Sequence, residues 1–172
     1  MRERLRAAGG EFGGIMLETN RILDRTDGSL RRAGCGLRVR SAKVLEGTGG
    51  GAKMTFKGPA QPGAFKTREE VEVFVEDAEA AVAVLERLGY VKILEYEKRR
   101  ERWRLGGCVI ELDEPARLGL FVEIEGPDDE IIREVQRRLG LEGSKHLTAS
   151  YVEMASRYCE ENGIVDCRLT ID

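Results

Sequence analysis

Histidine, cysteine and uninterrupted apolar stretches are scarce in this 172-residue chain, and each scarcity removes a class of function. The single histidine, His146, excludes histidine triads and histidine-rich metal sites. Four cysteines, Cys35, Cys108, Cys159 and Cys167, show no C-x-x-C spacing, which predicts reduced packing thiols rather than a disulfide framework or a zinc site. None of them has a histidine close in sequence, so a cysteine nucleophile is unsupported. No apolar run long enough for a membrane span occurs, and no charged-then-apolar leader opens the chain, so a soluble, cytoplasmic protein is expected. The G-x-x-x-x-G-K-[ST] phosphate loop is missing too. What the chain does have is charge: 34% of residues, with a net charge of -3. That balance excludes a basic nucleic-acid binder and an acidic disordered tail. The length predicts one domain over residues 1–172.

Strand and helix signals alternate in a hairpin rhythm. Arg2 to Ala8 has the pattern of a helix tail stopped by Gly9 and Gly10. Ile15 to Leu23 predicts a strand, Arg25 to Gly28 a turn, and Cys35 to Val44 a second strand. The glycine-rich loop from Gly47 to Gly51 leads to a strand over Lys53 to Lys57, and Phe65 to Val75 predicts another. The period then becomes helical: Ala81, Val84, Leu85 and Leu88 follow Asp77 as N-cap and stop at Gly89. Val91 to Leu105, Cys108 to Asp113 and Leu118 to Glu125 predict three more strands. Helices follow from Asp128 to Leu139 and over Ser150 to Glu161. About seven strands in hairpin order favour an antiparallel sheet. The pattern fits both an open sheet with one wet face and a closed barrel with a charged lumen.

Two of these strands carry charge where apolar residues belong. Tyr96, Lys98, Arg100, Arg102 and Arg104 alternate along one, and Phe121, Glu123 and Glu125 along the other. Successive strand side chains point to opposite faces, so each set shares a single face. Arg99, Glu101 and Glu97 fall on the other face and are expected at the solvated surface, with Trp103 among them as a core or helix-contact residue. Cations opposite carboxylates suit a polyanion with a divalent metal, because the cations hold phosphate oxygens and the carboxylates hold the metal.

Six ordered segments together resemble the CYTH superfamily, which joins class IV (CyaB-type) adenylyl cyclases with thiamine triphosphatases and inorganic triphosphatases. They are Leu37-Arg38-Val39-Arg40, Thr55 to Pro59, Lys66 to Glu72, Tyr96 to Arg100, Glu111-Leu112-Asp113 and Leu118 to Gly126. The resemblance runs from about Glu18 to Tyr151. It implies a β-rich α+β fold: an eight-stranded antiparallel β-barrel, the triphosphate tunnel, with charged residues in the lumen and helices packed outside. Carried over position by position, it makes Arg38, Arg40, Lys57, Lys98 and Arg100 triphosphate contacts, with Lys66 and Arg68 as further candidates that also suit pairing with Glu70 and Glu72. It makes Asp113, Glu123 and Glu125 the metal ligands, for Mg2+ or Mn2+.

The family's first strand, with its Glu-x-Glu-x-Lys signature, has no counterpart in Met1-Arg2-Glu3-Arg4: either the true start lies upstream or this member lacks two carboxylates and a lysine, and for the sequence as given the barrel is expected without that strand. Two open edges would then favour pairing with another copy, as a homodimer. The resemblance implies a metal-dependent enzyme acting on ATP or tripolyphosphate, most like a class IV adenylyl cyclase converting ATP to cyclic AMP and pyrophosphate. A triphosphatase is the alternative, and a non-catalytic triphosphate binder a third reading. Neither nucleic acid nor membrane is an expected partner.

Overall fold

The computed structural model describes residues 1–61 and 67–171. Its main element is a strongly curved sheet. The strands are β1 (Glu11–Arg25), β2 (Gly36–Gly47), β3 (Gly51–Lys57), β4 (Glu70–Val75), β5 (Tyr90–Leu105), β6 (Cys108–Pro115), β7 (Phe121–Glu125) and β8 (Arg168–Leu169). Seven of them lie antiparallel in the order β4-β3-β2-β1-β5-β6-β7. The short β8 instead pairs parallel to β5, with Glu95 opposite Arg168. The sheet curls into the tunnel shape, but among the described residues no strand pairing joins its edges, β4 and β7.

The long strands β1 and β5 form the spine, in register from Glu11 opposite Arg104 to Arg25 opposite Tyr90. Bulges break that register between Phe12 and Gly14 and between Ile22 and Leu23, and a bulge adds local bend and twist. At the β1/β2 end, Gly14 faces Gly47 across the ladder. A Cβ on Gly14 would lie 2.7 Å from the Glu46 carbonyl, and one on Gly47 would lie 2.9 Å from the Gly14 Cα. Two backbones approach there more closely than side chains permit.

Helices bury the outer face. α1 (Arg2–Ala7) and α4 (Asp129–Arg138) cover β5 and β6 through Leu5, Ile132, Val135 and Leu139 packed on Trp103, Leu105, Cys108 and Ile110. α3 (Ala78–Arg87) covers β1 to β3 with Ala78, Val82 and Leu85 on Leu23, Leu37 and Val39. Asp77 accepts hydrogen bonds from the amides of Glu79 and Ala80, the N-cap that its position predicts. α5 (Tyr151–Glu161) packs on Ile22, Leu94 and Tyr96, which share the parity of the charged row, so this helix covers one end of that face. Among the described residues no helix is long and apolar enough to cross a membrane.

Several expectations need correction. Cys159 and Cys167 are joined as a disulfide with their Cα atoms 5.7 Å apart, tying α5 to the segment that leads into β8, so not all four thiols are reduced. The lack of C-x-x-C spacing was a poor guide, because a helix end and a returning strand bring distant cysteines together. Strand β4 begins at Glu70 rather than Phe65, and Lys66 lies outside the described residues. A one-turn helix, α2 (Ser29–Arg32), follows the Asp-Gly turn and is held by Asp24, whose carboxylate accepts from the amides of Leu30 and Arg31. Glu101 is buried rather than solvated: α1 roofs it, and it accepts from Trp103 Nε1 at 2.7 Å and Arg2 Nε at 2.6 Å.

Candidate functional site

Register alone brings the charged residues together. Glu18 on β1 stands opposite Lys98 on β5, and Asn20 stands between Arg40 on β2 and Tyr96 on β5. Arg38 faces Thr55, which faces Glu72. On the other side Arg100 faces Asp113, Arg102 faces Glu111, and Glu111 faces Glu123 on β7. Because parity is preserved across each antiparallel pair, all of these side chains share the inner face.

Burying that much charge requires pairing, since an isolated buried ion is very costly. Lys98, 2% exposed, lies 3.0 Å from Asp113 Oδ2 and 3.6 Å from Glu18 Oε2, with its ammonium 4.8 Å from the centre of the Tyr151 ring. Arg40 donates to Glu18 Oε1 at 3.1 Å. Arg100 donates from Nε to Asp113 Oδ1 at 2.8 Å, and from Nη2 to both Asp113 Oδ2 and Glu123 Oε2 at 2.6 Å each. It is also ion-paired with Glu111. Arg102 donates twice to Glu111 Oε1.

The network shifts ionisation in opposite directions. Burial raises the Asp113 carboxyl, but its hydrogen bonds and charge contacts with Arg100 and Lys98 outweigh this and hold it at about 2. Burial likewise opposes the Glu18 charge, yet Arg100, Lys98, Arg40 and Arg38 together hold that carboxyl below its ordinary range. Glu123 goes the other way. Burial pushes it up, and Asp113 and Glu111 add to the push against the relief that Arg100 and Lys98 supply. Burial and the adjacent Arg40 lower the Arg38 guanidinium. Burial pushes the Tyr96 hydroxyl up to about 12. Burial, followed by the charges of Asp113 and Glu123, also raises the Tyr151 hydroxyl, which therefore stays protonated and donates to Asp113 Oδ2 at 3.0 Å.

Some polar atoms are left over. Arg38 Nε, both amide atoms of Asn20, and one oxygen each of Glu18 and Glu111 are buried without a hydrogen-bond partner. The Glu18 and Glu111 oxygens lie in the ion pairs with Lys98 and Arg100, and since buried polar groups are nearly always satisfied, the remaining three atoms, Arg38 Nε and the Asn20 amide pair, mark where a polar ligand would bind.

The acidic side of the face contains a trio, Glu111, Asp113 and Glu123, whose ligand oxygens all lie within 4.8 Å of one another. Hard carboxylate oxygens at that spacing fit a divalent ion. Glu125 has the same parity but lies at the exposed end of β7, outside the trio. Glu111 belongs to the Glu111-Leu112-Asp113 segment that carries the resemblance, which assigns the ligand role there to Asp113 alone, although the Glu-x-Asp alternation on β6 places both carboxylates on one face. Lys57 and Arg68 lie further along the basic side. Lys57 donates to Glu70 at 2.6 Å, and burial together with Arg38 lowers its ammonium. Arg68 lies ahead of β4 and is half-buried; Glu72 is taken by Lys53 and Thr55 instead.

Comparison with known proteins agrees with this architecture. The CYTH domain model matches residues 1–151. A candidate adenylate cyclase of Methanocaldococcus jannaschii is 26% identical over 161 residues, covering 88% of this chain and 89% of that one. The solved structure of the Pyrococcus horikoshii protein PH1819 superposes with a TM-score of 0.78 at 26% identity, covering 91% of this chain and 92% of the other. A Hippeastrum protein, described as a candidate adenylyl cyclase with a dominant triphosphatase activity, shares the fold with a TM-score of 0.68 at 16% identity, over 94% of this chain and 89% of its own.

Proposed function

The chain belongs to the CYTH family, and on that premise we propose that it is a metal-dependent enzyme acting on the triphosphate of ATP, as a class IV adenylyl cyclase. The observation that carries this reading is the inner face itself, where a basic half and a carboxylate trio meet at Lys98 and Arg100. A triphosphate brings about four negative charges, which forked guanidiniums and ammoniums match in geometry and number.

Arg38, Arg40, Lys98 and Arg100 would bind the phosphate oxygens. Arg38 Nε and the Asn20 amide are already buried there without partners. Glu111, Asp113 and Glu123 would hold Mg2+ or Mn2+. Bound there, the ion would polarise the phosphates and offset charge on the departing pyrophosphate. Tyr151 keeps its proton and fixes Asp113, so it orients a ligand side chain rather than acting as a base. Tyr96 and α5 close one end of the face and keep bulk water from it.

Hydrolysis is the second reading, favoured by the triphosphatase activity described for the Hippeastrum relative. It uses the same residues, with water replacing the ribose hydroxyl as nucleophile. The assay that tests both supplies ATP or tripolyphosphate with Mg2+ or Mn2+ and follows cyclic AMP, pyrophosphate and orthophosphate. Cyclic AMP with equimolar pyrophosphate supports the cyclase, and orthophosphate without cyclic AMP supports the hydrolase. Saturable binding with neither product would leave a non-catalytic triphosphate binder.

A further inference from the structure

We infer that Arg100 acts as an internal stand-in for the metal, so that this site takes a divalent ion as its complex with a polyphosphate and discriminates against the free ion. The inference rests on the function proposed above. Its basis is that one guanidinium touches all three members of the carboxylate trio. Arg100 bonds to both oxygens of Asp113 and to Glu123 Oε2, and it is ion-paired with Glu111. Those three side chains are also the ones whose oxygens converge within 4.8 Å. A divalent ion binds carboxylate oxygens at about 2.0–2.6 Å, which would place it in the volume the guanidinium fills.

Metal and Arg100 therefore compete for one set of oxygens. A free ion would have to displace Arg100 and leave a buried cation without partners, a costly state. Polyphosphate changes that balance, because its oxygens accept from the fork that the carboxylates release. Lys98, two positions away on the same face of β5, is itself shared between Asp113 and Glu18, so the acidic and basic halves adjoin at these two side chains and a bound polyphosphate would lie within reach of both. Glu111, 1% exposed, divides its oxygens between Arg102, which donates to Oε1, and Arg100, which is ion-paired with Oε2, so loss of Arg100 frees one of its two ligand atoms. By linkage, metal must raise polyphosphate affinity by the factor by which polyphosphate raises metal affinity.

The test uses the full chain and its Arg100→Gln variant, with Mn2+ alone, the non-hydrolysable analogue imidotriphosphate alone, and the two combined, all by calorimetry. Mn2+ alone should bind Arg100→Gln about 10-fold or more tightly than the parent chain. In the parent chain Mn2+ should tighten imidotriphosphate binding by a similar factor, and this coupling should shrink in the variant. Equal or weaker Mn2+ binding by a folded Arg100→Gln overturns the inference while leaving the triphosphate site intact. Should Arg100→Gln fail to fold, Arg100→Lys decides. A lysine keeps the charge but cannot bridge three carboxylates, so Mn2+ affinity should still rise, and no rise overturns the inference. If imidotriphosphate binds neither chain under any condition, the proposed function fails, and the Mn2+ comparison still reports on Arg100.

Discussion

Among single residues, parity is the sharpest determinant of role. Lys98 is buried among carboxylates, while Arg99, one position along β5, is exposed on the outer face. Lys98→Ala should weaken tripolyphosphate binding by about 10-fold or more, whereas Arg99→Ala should change it little; equal losses in a calorimetric titration would contradict the register. Glu123 makes a second test. Substitution of partners outside a metal's ligand shell already costs about 10- to 100-fold, so Glu123→Gln should lower metal-dependent turnover by about 100-fold or more. Its stability should move the other way. The folded carboxyl is raised above 4.5, so ionising it opposes folding above that pH, most fully at neutrality. Glu123→Gln should therefore keep or raise the unfolding midpoint at pH 7, with no gain in acid, and a sharp drop at pH 7 would mean a structural role.

At the scale of elements, the strongly periodic segments were legible and the ones made by tertiary contact were not. The β5 alternation from Tyr96 to Arg104 and the Asp77 cap appear in the structure because each is a local signal. Strand β8 has two residues and exists only because Glu95 and Tyr96 accept it as a parallel neighbour, which no local pattern encodes. Glu101 is likewise buried by α1, some hundred positions away in the chain. The Glu111 position in the trio was available from alternation with Asp113, but the resemblance pointed to Glu125 on the neighbouring strand. α5 offers a test of how much an element's local chemistry matters to the site. Ser150 caps it: its hydroxyl accepts from the Glu153 amide, and the Glu153 carboxylate accepts from the Ser150 amide. Removing this reciprocal cap in Ser150→Ala should cost about 1 kcal/mol in denaturant unfolding. Because the helix presents Tyr151 to Asp113, looser α5 anchoring should also weaken imidotriphosphate binding. Unchanged binding in a destabilised variant would separate the helix from the site.

Across the whole molecule, stability is divided between apolar clusters outside the sheet and paired charge inside it, and the two respond differently to acid. The outer clusters around Leu5 and Ile110 and around Val39 and Leu85 are built mainly of apolar side chains, with Glu101 bonded to Trp103 and Arg2 at the edge of the first. The inner face depends on ionised carboxylates. The Asp113 carboxyl is held at about 2 in the fold against 3.8 ordinarily, so the folded state favours the ionised form. Its contribution is fully present above pH 3.8 and is lost as pH falls towards 2. It amounts to about 2 kcal/mol at most, and Glu18, also lowered, shifts stability in the same direction. Denaturant unfolding at pH 7, 4 and 2.5 should show a steep loss over the last interval. Asp113→Asn should be less stable than the parent chain at pH 7, since Arg100 and Lys98 then lose a charged partner, and should flatten the acid limb. A parent chain as stable at pH 2.5 as at pH 7 would mean that the inner ion pairs contribute nothing net, leaving the outer clusters to hold the fold alone.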